Sequence, residues 1–187
     1  KDAGFDHVRV NLHPWRDGQI DAQDQLSPAW LDTLDWVVRK ARAAGLLVIL
    51  DLHEFEAMGR DAEGNHERLL ATWRQLAERY RDASDDVFFE ILNEPNSKLT
   101  PELWNQYLAE ALKIIRATNP TRTVIVGPAF WNNFDYLDKL KLPADDRNLI
   151  VTVHYYKPME FTHQGASWSN HPKVGVPWKG TPEQRKT

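Results

Sequence analysis

Apolar residues gather in five short runs along the chain: 7–12 (HVRVNL), 46–52 (LLVILDL), 87–92 (VFFEIL), 123–128 (TVIVGP) and 149–155 (LIVTVHY). Each is β-branched or aromatic, and several are nearly continuous rather than alternating. That pattern predicts strands buried on both faces of a parallel sheet. Between the runs, apolar positions recur at three-to-four spacing, which predicts helices. Residues 28–44 place Trp30, Leu31, Leu34, Val37, Val38 and Ala41 on one side, with Ser27 as N-cap, Pro28 in the first position and Gly45 closing the helix. Residues 67–81 do the same with Leu69, Leu70, Trp73, Leu76, Ala77 and Tyr80. Residues 101–118 follow with Leu103, Trp104, Tyr107, Leu108, Ala111, Leu112 and Ile115 behind a Thr100 cap. A shorter helix is predicted over 134–140, and residues 1–4 read as the last turn of another, capped by Gly4.

Strand and helix alternate without a hairpin signal, so the fold class is α/β, either a doubly wound sheet or a barrel. No glycine-rich phosphate loop follows any strand, which argues against nucleotide binding. The final stretch, from "FTHQGASW" to "EQRKT", is loop-like and rich in Trp, Gly and Pro. The chain begins and ends in mid-pattern, and is expected to be a piece of something longer.

Composition narrows the classes. The 187 residues suit one domain, and 42% hydrophobic with 27% charged residues is the balance of a soluble globular chain. A net charge of -4 with interspersed signs and no basic run points to no nucleic-acid partner and no membrane surface. The absence of cysteine excludes disulfides and thiolate metal sites. Eight tryptophans fit either a well-filled core or an aromatic-lined cleft.

Candidate chemistry sits at the strand ends. Arg9 and Asn11 lie in the first run, followed by His13, Pro14 and Trp15. Asp51, His53 and Glu54 close the second, and Asn93 and Glu94 the third. Trp131 and Asn132 follow the fourth, and His154 and Tyr156 belong to the fifth. Polar and aromatic groups therefore collect where a parallel α/β sheet or barrel keeps its active site. Asp51 is a candidate partner for Arg9. His53, Glu54, Glu94 and His154 are scattered over different strands without a metal-ligand spacing, so no metal and no cofactor are expected.

The segments "GFDHVRVNLHPW", "VILDLHEF", "FEILNEPN", "VIVGPAFWN" and "VTVHYYKPMEFTHQGASW", in this order, resemble glycoside hydrolase family 5, the cellulase family of the (β/α)8-barrel hydrolases. The resemblance implies a TIM barrel, here incomplete, with about five parallel strands corresponding to strands two to six. Strand one and strands seven and eight are expected to be absent. It implies Glu94 as general acid/base and Asn93 as a ligand of the sugar 2-hydroxyl. Arg9 would orient the nucleophile carboxylate, and His53, His154 and Tyr156 would line the cleavage subsite. The nucleophile itself, a Glu ending strand seven, is expected outside this chain; Glu160 and Glu183 sit in loop-like sequence. Glu54 stands where relatives often carry another residue.

Retaining hydrolysis needs two carboxyl groups about 5–5.5 Å apart, one attacking and one donating a proton. A strand end fixes such a group while aiming it into a cleft, and Pro95 is expected to keep Glu94 in extended backbone. Trp15, Trp131 and Trp168 are candidates for stacking on sugar faces, Trp131 foremost, while Trp73 belongs to the core and Trp36 fits core or surface. His163 and Gln164 either touch substrate or tie down their loop. The expected activity is endo-β-1,4-glucanase, with mannanase, exo-β-1,3-glucanase or a non-catalytic carbohydrate-binding fragment as alternatives. A polysaccharide substrate implies a secreted or periplasmic protein. Open sheet edges imply self-association of the fragment.

Overall fold

The computed structural model describes residues 1–16 and 18–185. Its strands fall on the five apolar runs: β1 (His7–Leu12), β2 (Leu47–Leu52), β3 (Val87–Glu90), β4 (Val124–Val126) and β5 (Leu149–Val151). Every pairing is parallel, and the strands lie in the order β1-β2-β3-β4-β5. A doubly wound sheet reverses its order at a switch point. This sheet instead advances one strand per crossover, which is the progression of a barrel wall. The five strands and their helices are an incomplete (β/α)8 barrel.

Register assigns the two faces. Asn11, Asp51, Glu90 and Ile125 share one rung, and Arg9, Ile49 and Phe88 share another two residues earlier. Because side chains alternate, these residues face one side and Val48, Leu50, Leu52, Phe89 and Val124 face the other, where all five are fully buried. The expectation of strands buried on both faces holds at β4 and nearly at β3, and is corrected at β1 and β5. One face is packed under helices; the other is the barrel interior, carries charge, and is only partly covered by five strands. β1 is half-buried or exposed over most of its length, and β5 is largely exposed.

The buried face is covered by α1 (Pro28–Ala43), α3 (His66–Arg79) and α4 (Pro101–Thr118). A short α2 (Phe55–Arg60) directly after β2 is an addition to the expected elements. Thr100 caps α4 through its hydroxyl, which accepts from the Leu103 N–H at 3.4 Å. Ser27 makes no side-chain cap bond. Gly45, at φ +73°, ends α1 in a Schellman turn: Leu46 N–H donates to Ala41 O at 3.1 Å and Gly45 N–H to Arg42 O at 2.8 Å. The segment 134–140 is a 3-10 helix, Phe134–Lys139. Gly4, at φ +85°, closes a turn whose N–H reaches Lys1 O.

β3 and β4 stop earlier than their apolar runs because buried tryptophans take the next carbonyls. The Trp73 indole of α3 donates to Ile91 O at 2.9 Å, and the Trp104 indole of α4 donates to Gly127 O at 2.9 Å. Both rings are core, and each pins a strand end to the helix behind it. Trp36 lies on the exposed side of α1 under Lys40.

Residues from His154 onward form a separate unit. The fifth run was expected to be strand through Tyr155, but pairing ends at Val151 and His154 follows in irregular chain. Gln164 organises this unit, donating to Phe161 O and Val176 O and accepting from Val176 N–H. Glu160 lies in a helical turn, Met159–Thr162, rather than a loop, and Glu183 falls in the turn Pro182–Arg185 with its side chain outside the described residues. Among the described residues no helix is long and apolar enough to cross a membrane.

Candidate active site

Arg9 is the hub of the interior face. Its Nε donates to Glu90 Oε2 at 2.6 Å and its Nη2 to Glu90 Oε1 at 2.8 Å, a two-pronged pairing. Nη2 also reaches Asn93 Oδ1 at 2.9 Å and Asp51 Oδ2 at 3.0 Å. The Arg9–Asp51 pairing expected from the sequence is present. Glu90 was overlooked, although a carboxylate inside an otherwise apolar run needs a cation and Arg9 is the one cation in the five strands. Two buried carboxyls thus face one guanidinium. Burial pushes the Asp51 carboxyl up, as does the Glu90 charge, against the pull of His53 and Arg9. Burial favours the neutral form of Arg9, but the bond from Glu90 and the charges of Asp51, Glu90 and Glu94 hold its pKa above the ordinary value.

Beyond β3 the chain makes a tight turn. Glu94 sits at φ +45° and Ser97 at φ +51°. The expected extended backbone at Glu94 is therefore corrected: a following proline disfavours the right-handed helical region, and tertiary bonds select the left-handed one. Asn96, buried, donates from Nδ2 to Glu94 O at 2.8 Å and Phe55 O at 3.4 Å. Trp131 N–H donates to Pro95 O at 3.0 Å. Asn93 N–H donates to Leu52 O at 2.9 Å, and Asn93 Nδ2 to Glu94 Oε2 at 3.4 Å. The Glu94 side chain is half-buried.

Trp131 rises from a second strained turn, in which Phe130, Trp131 and Asn132 all have positive φ, between 55° and 62°. Its ring is 48% exposed, available as a stacking surface, and its backbone is tied to the Glu94 turn. Trp15 is different: its indole donates to Thr72 Oγ1 at 3.0 Å on α3, and its ring packs against the core. It is a structural clamp rather than a free platform. Glu54, buried, accepts from Trp15 N–H at 2.9 Å, and burial pushes its carboxyl up.

His53 follows β2. Its Nδ1 lies 2.5 Å from Asp51 Oδ2, and Asn11 Nδ2 lies 2.9 Å from Nδ1 and 3.3 Å from Nε2. The rings of His13 and Phe55 contact it edge-on, with centroids 5.1 and 5.2 Å away. Burial, Arg16 and His53 together hold the His13 pKa low. Among the described residues no cluster of three His, Cys, Asp or Glu side chains is placed to hold a metal ion.

Arg9, His53, Asn93 and Glu94 therefore come together in the first unit, with Trp131 joined through the Pro95 carbonyl. His154 and Tyr156 lie in the second unit, in an edge-to-face series: His154 to Tyr156 at 6.3 Å, Tyr156 to His163 at 5.1 Å, and His163 to Trp168 at 4.9 Å. Gln164 ties its loop. The buried His163 bonds Thr162 through Nδ1 at 2.8 Å and braces Trp168, which is 75% exposed. Asn96 also escaped the sequence reading, because nothing in the local pattern marks an amide that will fold back under the preceding turn.

Comparison with known proteins places this geometry. Endoglucanase H of Acetivibrio thermocellus is 39% identical over 165 residues, covering 88% of this chain and 18% of that protein. Cellodextrinase A of Ruminococcus flavefaciens is 31% identical over 182 residues, covering 90% of this chain and 52% of the relative. The chain thus spans about half or less of these relatives. Among solved structures, Thermotoga maritima Cel5A in complex with mannotriose superposes with a TM-score of 0.91 at 41% identity, covering 98% of this chain and 60% of that one. Residues 1–183 match Cellulase (glycosyl hydrolase family 5), and the chain belongs to that family.

Proposed function

We propose that the chain is the acid/base-bearing part of a retaining endo-β-1,4-glucanase barrel, comprising strands two to six, with the nucleophilic Glu supplied by sequence outside these 187 residues. One observation carries the reading: Glu94 stands half-buried on a pinned turn beyond β3, bonded by Asn93 and in the field of Arg9. A proton donor to a glycosidic oxygen needs such a fixed, partly desolvated carboxyl. Asn93, held by Arg9, presents amide donors to a sugar hydroxyl without adding charge. Trp131 and His53 supply further sugar contacts from the first unit; His154 and Tyr156, in the second unit, carry that role by the family resemblance alone. The names of the relatives, endoglucanases and a cellodextrinase, support a β-1,4-glucan. A polymeric substrate of that kind is met in a secreted or periplasmic setting.

The mechanism dictates the test. In the complete enzyme, Glu94→Gln should lower turnover of carboxymethyl-cellulose on the order of 10³-fold. A dinitrophenyl cellobioside, whose leaving group needs no protonation, should still give a rapid burst of dinitrophenolate followed by a slow steady state. Equal, complete loss on both substrates would remove Glu94 from the acid/base role. A second reading, β-mannan hydrolysis, is favoured by the mannotriose complex of the Thermotoga relative; relative turnover of glucomannan, carboxymethyl-cellulose and laminarin separates these substrates.

A further inference from the structure

We propose that Asp51 is a positioning residue that holds His53 in its Nδ1–H tautomer, so that Nε2 is the ring's acceptor and His53 receives a hydrogen bond from a sugar hydroxyl rather than giving one. The sugar half of this statement rests on the glycosidase reading; the tautomer does not.

The separation of 2.5 Å between Asp51 Oδ2 and His53 Nδ1 admits one proton between the two atoms. The same Oδ2 also receives Arg9 Nη2 at 3.0 Å. Arg9 is charged throughout the working pH range, and an oxygen already accepting from a guanidinium is a poor place to keep a proton. The proton therefore belongs on the ring. Glu90 grips Arg9 from the other side through Nε and Nη2, so the guanidinium is not free to leave Asp51.

Asn11 Nδ2 lies 2.9 Å from Nδ1 and 3.3 Å from Nε2. The nearer approach alone would suit an acceptor at Nδ1, but the contact of Nδ1 with Asp51 Oδ2 is shorter, at 2.5 Å, and charge-assisted, so Nδ1 keeps the proton and the lone pair left for the amide is on Nε2. Asn11 is exposed, so a sugar hydroxyl can take its place. His13 and Phe55, edge-on to the ring, hold its plane. The partner of one ring nitrogen decides the state of the other, and here that partner is a fully buried carboxylate on rigid strand β2. A hydroxyl can donate as well as accept, so an acceptor-only nitrogen selects one orientation of the bound sugar.

The 187-residue chain, labelled with ¹⁵N-histidine, tests this through long-range ¹H–¹⁵N correlation at pH 8, with the His53 signals identified by their loss in His53→Gln. The expected result is a protonated Nδ1 and an unprotonated Nε2. A proton on Nε2, or on both nitrogens, overturns the proposal, and this measurement needs no variant at Asp51. Asp51→Asn is expected to abolish the Nδ1–H preference, while Asn11→Ala leaves it intact; the reverse pattern would also overturn it. In the complete enzyme carrying Glu94→Gln, added cellotetraose should shift the His53 Nε2 resonance. A shift confined to other histidines refutes the acceptor role. No sugar response at all would count against the glycosidase reading, and the sugar role with it, while leaving the tautomer standing.

Discussion

Glu94 has a left-handed backbone, at φ +45°, which costs a residue with a side chain about 1–2 kcal/mol. The compensation is local. Asn96 holds the Glu94 carbonyl, Trp131 holds that of Pro95, and Gly59 leaves the room in which the Asn96 amide lies. A Cβ at position 59 would come within 2.3 Å of Asn96 Oδ1. Asn96→Ala is therefore expected to cost about 1–3 kcal/mol by leaving part-buried carbonyls without a donor, and Gly59→Ala to destabilise as well by displacing the same amide. Urea unfolding of both variants checks this; wild-type stability in either would mean that the turn is held by something else. Glu54 supplies a pH test. Its folded pKa is raised by burial, so the folded chain binds that proton more tightly than the unfolded one. The associated stability is complete below the ordinary carboxylate pKa, about 4.3, and is lost as pH rises through the raised folded value. Glu54→Gln keeps an acceptor for Trp15 N–H and does not titrate. Its stability relative to wild type should climb as pH rises above the ordinary carboxylate pKa, about 4.3, and a flat difference there would show that Glu54 titrates normally.

At the scale of elements, helices were more legible than strand ends, and the reason is visible in particular bonds. The apolar stripes of α3 and α4 are local patterns, and helix existence follows from them. The early ends of β3 and β4 follow from indole bonds of Trp73 and Trp104, which reach across the fold and leave no local trace. Caps fall between. Thr100 and Ser27 look alike in sequence, each followed by proline, yet only Thr100 accepts a bond from the helix. Thr100→Ala should cost about 1 kcal/mol, while Ser27→Ala should lie within about 0.5 kcal/mol of wild type; thermal melts of the pair decide whether the hydroxyl or the residue type matters. Gly45→Ala, at a left-handed position closing α1, should cost about 1–2 kcal/mol. In the site, the Arg9–Asp51 pair was legible, because a charged residue in each of two neighbouring apolar runs needs a partner. Glu90 could have been found from its charge within an apolar run. Its fork to Arg9, across β2, could not be read without the register.

On the scale of the whole molecule, what matters is how a curved parallel sheet ends. Within these residues β1 and β5 each have one neighbour, so each presents a row of backbone donors and acceptors along its outer side. On β5 that row is flanked by Ile150 and Val151, each 46% exposed. β1 is longer, and its side chains are half-buried or exposed up to Leu12. Exposed, apolar strand edges recruit other strands, and a net charge of -4 over 187 residues gives only modest repulsion against association. The chain by itself is therefore expected to associate with concentration, through edge pairing that stands in for the neighbours a closed barrel provides. Light scattering coupled to size exclusion, across a hundredfold range of concentration, should show a mass that rises above the monomer. Ile150→Lys with Val151→Lys places two ammonium groups on the β5 edge and should return the mass to that of one chain, because pairing there would bury unpaired charge. A single monomeric mass for the unaltered chain at every concentration would mean that neither edge is sticky enough to recruit a partner. Persistence of the larger species in the double variant would move the contact to β1.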